Sequence, residues 1–347
     1  MEEQKGNTLP HTAVAAKASA NKPGIAPANN EWNKVRKLAV RHLNRFVSLE
    51  PKVLKGDDPD AIHDMRVASR RLQQVLDLIF PTPQPREIRR LRRKIQRCRR
   101  ALGDLRNCDV LLQQVEGRLT RKRCPDREAW TAVKQHLRER RSESFRRAIR
   151  KMGKVNFVVF QMRAKEILDR LKPTPNRDPS LHPSVHPDRP VFEPFPVRLT
   201  QALAGVWKDS EEKAAASHRE KSPPSIHAAR IAAKRLRYLL EVVNQFKIAG
   251  SSNALTWLKK IQQYLGDWHD MEVLEEMIIE MLAKPGFWRD QLPLALATGR
   301  LISRNRATKE GFTKKYFQMT GDSLQYQEVR NWAEGLLALT PSTISSA

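Results

Sequence analysis

An all-α fold in two matched halves is what this sequence predicts, on three observations. Glycine and clusters of β-branched residues are scarce among its 347 residues, and the apolar positions recur with a helical period. The segment DPDAIHDMRVASRRLQQVLDLI at 58–79 returns as SPPSIHAARIAAKRLRYLLEVV at 222–243, with eight identities in 22 positions. Between the two copies, residues 173–196 hold eight prolines, which mark a linker.

The elements follow in order. Residues 1–30, rich in Ala, Asn, Lys and Pro without a helical period, read as a disordered leader. The first half, 31–172, is expected to hold helices at 32–49, 59–80, 86–102, 105–119, 127–151 and 155–171. The second, 197–340, matches them with helices at 197–217, 223–246, 252–265, 268–283, 287–318 and 323–338.

Asp58-Pro59 and Ser222-Pro223 each offer an N-cap followed by proline at the first helical position, so both motif helices should start in the same register. A second repeat pairs LGDLRNCDVL at 102–111 with LGDWHDMEVL at 265–274, at five of ten positions. Gly103 and Gly266 suit the end of one helix, and Asp104 and Asp267 the N-cap of the next.

On the first motif helix, Ala68, Leu72, Val75, Leu76 and Ile79 share a core face. His63, Arg66, Arg70, Gln73 and Asp77 fall opposite, and the second copy places His227, Arg230, Lys234 and Arg237 on the same side. A single stripe of this kind is ordinarily a solvated face. Its retention in both copies, while much else has diverged, favours a ligand site. Arg71 and Arg235 lie at the edge of the apolar face, where a guanidinium needs a carboxylate; Asp104 and Asp267 are the expected partners, with ligand contact the competing role. A phosphate beside His63 or His227 would favour the doubly protonated ring, so binding should strengthen as pH falls from about 8 to 6.

The helix at 86–102 buries Ile88, Leu91, Ile95, Cys98 and Leu102 and turns Arg86, Arg90, Arg93, Arg97 and Arg100 outward, with Arg89 and Lys94 close by. Between 61 and 123 stand 17 cations against six acids, a density that repels itself until an anion intervenes. Arginine suits phosphate through planar, multidentate hydrogen bonds. The second half keeps only Lys259 and Lys260 in the corresponding helix, so the two halves are unequally charged.

Composition agrees with a polyanion binder. Lys and Arg total 64 against 38 acids, a net charge of +26. Cys98, Cys108 and Cys124 show neither a disulfide framework nor a zinc spacing. No signal peptide opens the chain and no 18-residue apolar run appears, so a cytoplasmic protein is expected.

HDMRVASRRL at 63–72 followed by LGDLRNCDVL at 102–111 closely resembles the signature of the CHAD family, the conserved histidine α-helical domain. HAARIAAKRLRY at 227–238 and LGDWHD at 265–270 resemble its second half, and the likeness extends over about 31–338. It implies two helical bundles related by a pseudo-twofold axis around a basic central cavity that binds inorganic polyphosphate. The family's characteristic residues fall here on His63, Arg66, Arg70, Arg71, His227, Arg230, Lys234 and Arg237. Asn107 departs from the acid common in the family. Some members carry a triphosphate tunnel domain, whose E-x-E-x-K signature is absent from this sequence.

The expected function is noncatalytic polyphosphate binding, without cofactor or metal, possible association with polyphosphate granules included. Its lining would be those motif-helix cations together with Arg89, Arg90, Arg93, Arg97, Lys259 and Lys260. Nucleic-acid binding is the alternative that net charge permits, against which stand the absence of a recognition motif and an aromatic content of 6%. Catalysis has only the His63-Asp64 and His269-Asp270 pairs, neither duplicated, and His182 and His186 in the proline-rich stretch, a weak metal site. No Walker loop, catalytic triad order or dinucleotide fingerprint supports it.

Overall fold

A computed structural model describes residues 28–171 and 194–338, except 286, 288–290 and 322. Helices fill it: α1 (Ala28–Ser48), α2 (Glu50–Lys55), α3 (Pro59–Ile79), α4 (Arg86–Ala101), α5 (Gly103–Leu119), α6 (Arg127–Met152) and α7 (Phe157–Asp169) in the first half. The second half contributes α8 (Phe195–Glu220), α9 (Pro223–Gln245), α10 (Ser251–Leu282), α11 (Leu292–Thr320) and α12 (Leu324–Ala338). There is no strand among the described residues. None of the helices is long and apolar enough to cross a membrane.

The motif helices start as their sequences dictate. Asp58 Oδ1 accepts from the backbone N–H groups of Asp60 and Ala61, both at 2.9 Å, ahead of Pro59. Ser222 Oγ accepts from Ser225 N at 3.3 Å, ahead of Pro223. His63 and His227 therefore occupy the same helical position. The predicted core face of α3 is buried throughout, as are Ile88, Leu91, Ile95, Cys98 and Leu102 around α4.

The halves do not keep separate cores. One apolar cluster runs from Val35 and Phe46 in α1 through α3 to Leu239 in α9 and Leu258 in α10. A second joins α5 and α6 to α10 and α11 through Val115, Val133, Leu137, Leu274 and Leu301. Burying apolar area in both clusters ties one half to the other. α3 also packs directly on α9, which brings the two copies of the motif together.

Several expected boundaries move. The Leu-Gly-Asp segment breaks the chain between α4 and α5, but the turn is made by Leu102; Gly103 opens α5, and Asp104 is exposed in its first turn, 3.8 Å from Arg147. In the second half there is no break, because 252–265 and 268–283 are one 32-residue helix. Gln263 Nε2 donates to Asp267 Oδ1 at 2.9 Å across Gly266, so the aspartate expected to cap a new helix instead braces a continuing one. The short α2 was not anticipated. α8 begins at Phe195, with Pro196 in its first turn, inside the stretch read as linker. The leader up to residue 27, the linker over 172–193, with His182 and His186, and residues 339–340 lie outside the described residues.

Candidate functional site

Where α3 meets α9, the polar faces of the two motif helices converge with the end of α4, the start of α5 and the middle of α10. Arg66 and Arg70 come from α3, Arg99 from α4, Arg106 from α5, Arg230 and Lys234 from α9, and all are partly buried. Tyr238 lies among Arg66, Arg71, Arg99 and Arg230.

Burial and mutual repulsion both work against these charges. Desolvation, then Arg70, Arg99 and Arg106, pushes the Arg66 pKa down to about 9. Desolvation foremost lowers Arg99 and Arg230 to about 10 each. Lys234 is held well below its ordinary range by burial and by Arg230, Arg70 and Arg66. Guanidinium groups keep their protons at neutral pH regardless, so the depressed values measure an unfavourable potential and not a loss of charge.

Some donors are already engaged. Arg66 NH1 donates to the Arg99 carbonyl at 2.6 Å, closing one of the C-terminal carbonyls that α4 leaves open. Arg99 NH1 donates to Gln73 Oε1 at 2.5 Å. Arg230 Nε, by contrast, is buried with no hydrogen-bond partner among the described residues. A buried donor left unmet costs about 1–3 kcal/mol, which an anion would return.

The second half brings titratable groups to the same place. The rings of His227 and His269 lie 5.5 Å apart. Desolvation, Arg230, Lys234, His227 and Arg66 push His269 down to about 3, and desolvation with Arg230 and Lys234 lowers His227. His63 is exposed along part of its length, yet desolvation and Arg106 lower it as well. Without bound anion, the imidazoles are therefore neutral near pH 7. Asp270 is the acid of the cluster; desolvation pushes it up to about 6 despite Arg230, and Gln114 Nε2 donates to it at 3.4 Å.

Arg71 and Arg235 do meet carboxylates, but not the expected ones. Arg71 Nε donates to Glu241 Oε2 at 2.7 Å, and Arg237 Nε lies 3.3 Å from the other oxygen of that carboxylate, with its guanidinium 5.0 Å from the Tyr238 ring. Arg235 pairs with Asp209 at 3.1 Å. Asp104 and Asp267 fail as partners because they face Arg147 and Gln263 instead. Asp77, which holds in the first copy the place of Glu241, takes Arg92 through both oxygens, at 2.8 and 3.0 Å.

The remaining predicted residues are placed elsewhere. Arg89, Arg90, Arg93 and Arg97 are exposed on the outer side of α4, and Lys259 and Lys260 are exposed on α10. Lys260 borders a cleft of about 360 Å³ with Trp257 and Trp332. A smaller cavity of about 30 Å³, walled by Trp207, Leu236, Ile261 and Tyr316, is too apolar for an anion. Neither adjoins the cationic cluster, so charge and not cavity size marks the site. Asp64 of the His63-Asp64 pair is turned to Arg45, away from any shared metal role.

Sequence reasoning missed Arg99, Arg106, His269 and Asp270 as members. Arg106 and His269 hold the same position of the second repeat, so a signal was present; Arg99 was hidden in a helix where nearly every polar position is arginine.

The sequence model of the CHAD domain matches residues 37–278, a span that contains every member of the cluster. The chain belongs to the CHAD domain family. The fold is similar to that in the crystal structure of the CHAD domain from the plant Ricinus communis, with 20% identity and a TM-score of 0.57, covering 95% of this chain and 98% of the other. It is also similar to PptA from Streptomyces chartreusis, at 14% identity and a TM-score of 0.56, covering 83% and 98%. No curated protein matches the chain. At these identities the likeness to the two structures is one of fold.

Proposed function

We propose that this CHAD protein binds inorganic polyphosphate without catalysis, through the cluster where its two motif helices meet. One observation carries the reading: six partly buried cations, Arg66, Arg70, Arg99, Arg106, Arg230 and Lys234, converge on one place, where burial and then neighbouring positive charge lower the pKa values of Arg66, Arg99, Arg230 and Lys234, and Asp270 is an acid that faces Arg230 and Lys234. Such a set is stabilised by an anion with many acceptors and a narrow cross-section. A flexible chain of phosphates has both properties, and arginine's planar donors fit its oxygens.

A DNA duplex reads the surface differently, because it is too broad to reach donors sunk between helices. Catalysis would need a general base tuned near neutral pH, and burial with the neighbouring cations lowers His227 and His269, the latter to about 3, which makes it a weak base. A cytoplasmic setting, with polyphosphate granules as a partner, goes with this reading.

The test is retention of polyphosphate across a salt series. Affinity should fall linearly on logarithmic axes as counterions compete. Replacing Arg66, Arg70, Arg230 and Lys234 together by Ala should weaken retention about a hundredfold or more, equivalent to about 3 kcal/mol. Full retention by that variant, once shown to be folded, would exclude the cluster as the site.

A further inference from the structure

α4 carries cations on two sides, and only one side belongs to the cluster. Arg99 faces inward and Arg92 is committed to Asp77. Arg86, Arg89, Arg90, Arg93, Arg97 and Arg100 are exposed, and none has an ion-pair or side-chain hydrogen-bond partner among the described residues. The helix has one acid, Glu87, and Arg170 engages it at 3.3 Å. From Arg86 to Arg100 the row spans about 21 Å at the rise of an α-helix.

The row is continuous with the enclosed site. Its last member, Arg100, adjoins Arg99, whose carbonyl receives the Arg66 guanidinium at 2.6 Å. A ligand held between Arg66, Arg99 and Arg230 can therefore continue outward along α4 as far as Arg89 before reaching the one acid of that helix, Glu87, which Arg170 engages. Repulsion among six unpartnered guanidinium groups, spaced three or four residues apart, is relieved by an anion that contacts several at once. α10, the corresponding helix of the second half, offers only Lys259 and Lys260 in its first turns, so the continuation exists on one side.

We infer that the outer face of α4 is a second polyphosphate-binding segment, an exit track that makes affinity depend on chain length. The inference rests on the proposed function, since it assigns the same polymer to both places. Short phosphates fill the cluster alone, whereas a long chain occupies the cluster and the row together and gains from joining two sites on one molecule.

The experiment compares three proteins, the wild type, an outer variant (Arg89→Ser, Arg90→Ser, Arg93→Ser, Arg97→Ser) and an inner variant (Arg230→Ala, Lys234→Ala), each titrated with tripolyphosphate, long-chain polyphosphate and duplex DNA at one salt concentration. The outer positions are exposed, so the fold should survive, and a melting curve checks it. The outer variant should lose about tenfold or more in affinity for the long chain and show a shallower salt dependence, with tripolyphosphate binding unchanged within about twofold. The inner variant should weaken binding of both lengths. An outer variant that binds the long chain like wild type, or that weakens both lengths equally, overturns the exit track while leaving the central site standing. Wild-type protein that binds neither length overturns both readings. Selective loss of DNA binding from the outer variant, with long-chain affinity intact, would reassign the row to nucleic acid.

Discussion

The two walls of the cluster are built from the same repeated segments and differ in kind. In the first half, the second repeat breaks the chain at Leu102 and supplies Arg99 and Arg106. In the second half, the same repeat runs unbroken through α10 and places Gln262, His269 and Asp270 at the positions of Arg99, Arg106 and Asn107. One wall is permanently charged, while the other changes charge with pH. A duplicated scaffold has thus kept the placement of the side chains that line the cluster and altered how firmly each holds its charge.

The largest expected effect separates the walls by affinity. Replacing Arg99 and Arg106 by Ala should cost at least about tenfold in polyphosphate affinity at pH 8, about 1.4 kcal/mol, while His269→Ala should cost little there because the ring is neutral. At pH 6 bound phosphate favours protonation of the histidines, so the wild type should bind more tightly than at pH 8 and His269→Ala should flatten the profile. Isothermal titration in buffers of different ionisation enthalpy would register the proton uptake. An equally steep profile in the variant would return the titratable role to His63 and His227.

On stability the largest effects are expected at two glycines that seat aromatic rings, one in each half. Gly56 has φ +80° and Gly250 φ +76°; a Cβ would stand 2.3 Å from the Phe145 ring and 2.4 Å from the Trp332 ring respectively. Trp332 is further fixed by its Nε1 donating to the Ala249 carbonyl at 2.7 Å. Gly56→Ala and Gly250→Ala should each destabilise by about 2 kcal/mol or more, read by denaturant unfolding. A similar loss at both sites would indicate that the shared cores unfold as one unit, and two separate transitions would show the halves uncoupling.

The empty protein should also lose stability as pH falls. His269, at about 3, and His42, lowered to about 4 chiefly by burial and then Arg71, accept protons in the unfolded chain below about 6.5 but resist them when folded. Unfolding therefore gains protons, and melting temperature should drop between about pH 6.5 and 4. Asp270, raised to about 6, opposes this below that value because the folded carboxyl takes its proton first. Tripolyphosphate should shrink the drop if the histidines face the ligand.

The smallest effect bears on the break itself. No atom lies within 4 Å of a Cβ added at Gly266, whereas one at Gly103 would meet Arg66 NH1 at 3.5 Å. Gly266→Ala should stabilise α10 by about 0.5–1 kcal/mol, seen as a higher melting temperature without a change in binding. Gly103→Ala should leave stability nearly unchanged.

Much of the fold was legible because periodicity and caps are local: Asp58 and Ser222 act where the sequence places them, and the apolar stripes of α3 and α4 are buried as read. The continuity of α10 was not, since Leu-Gly-Asp has the same local preferences in both halves and the outcome depends on what reaches it. Arg66 donates to the Arg99 carbonyl in the last turn of α4, while Gln263 braces α10 past Gly266. The motif-helix cations of the site were readable from duplication. The partners of Arg71 and Arg235 were not, because Glu241 and Asp209 approach across 170 and 26 residues of chain, and only packing brings them there.

The unbroken α10 has one more consequence. At about 48 Å long and buried in both apolar clusters, it works as a beam. His269 and Asp270 sit near its middle and cannot shift without dragging the interior along. The opposite wall is in two pieces, α4 and α5, which meet at Leu102, so a change of angle between them would leave each helix intact. Accommodation to a wider or more hydrated guest should therefore be one-sided, with the arginine wall moving and the histidine wall serving as the fixed jaw.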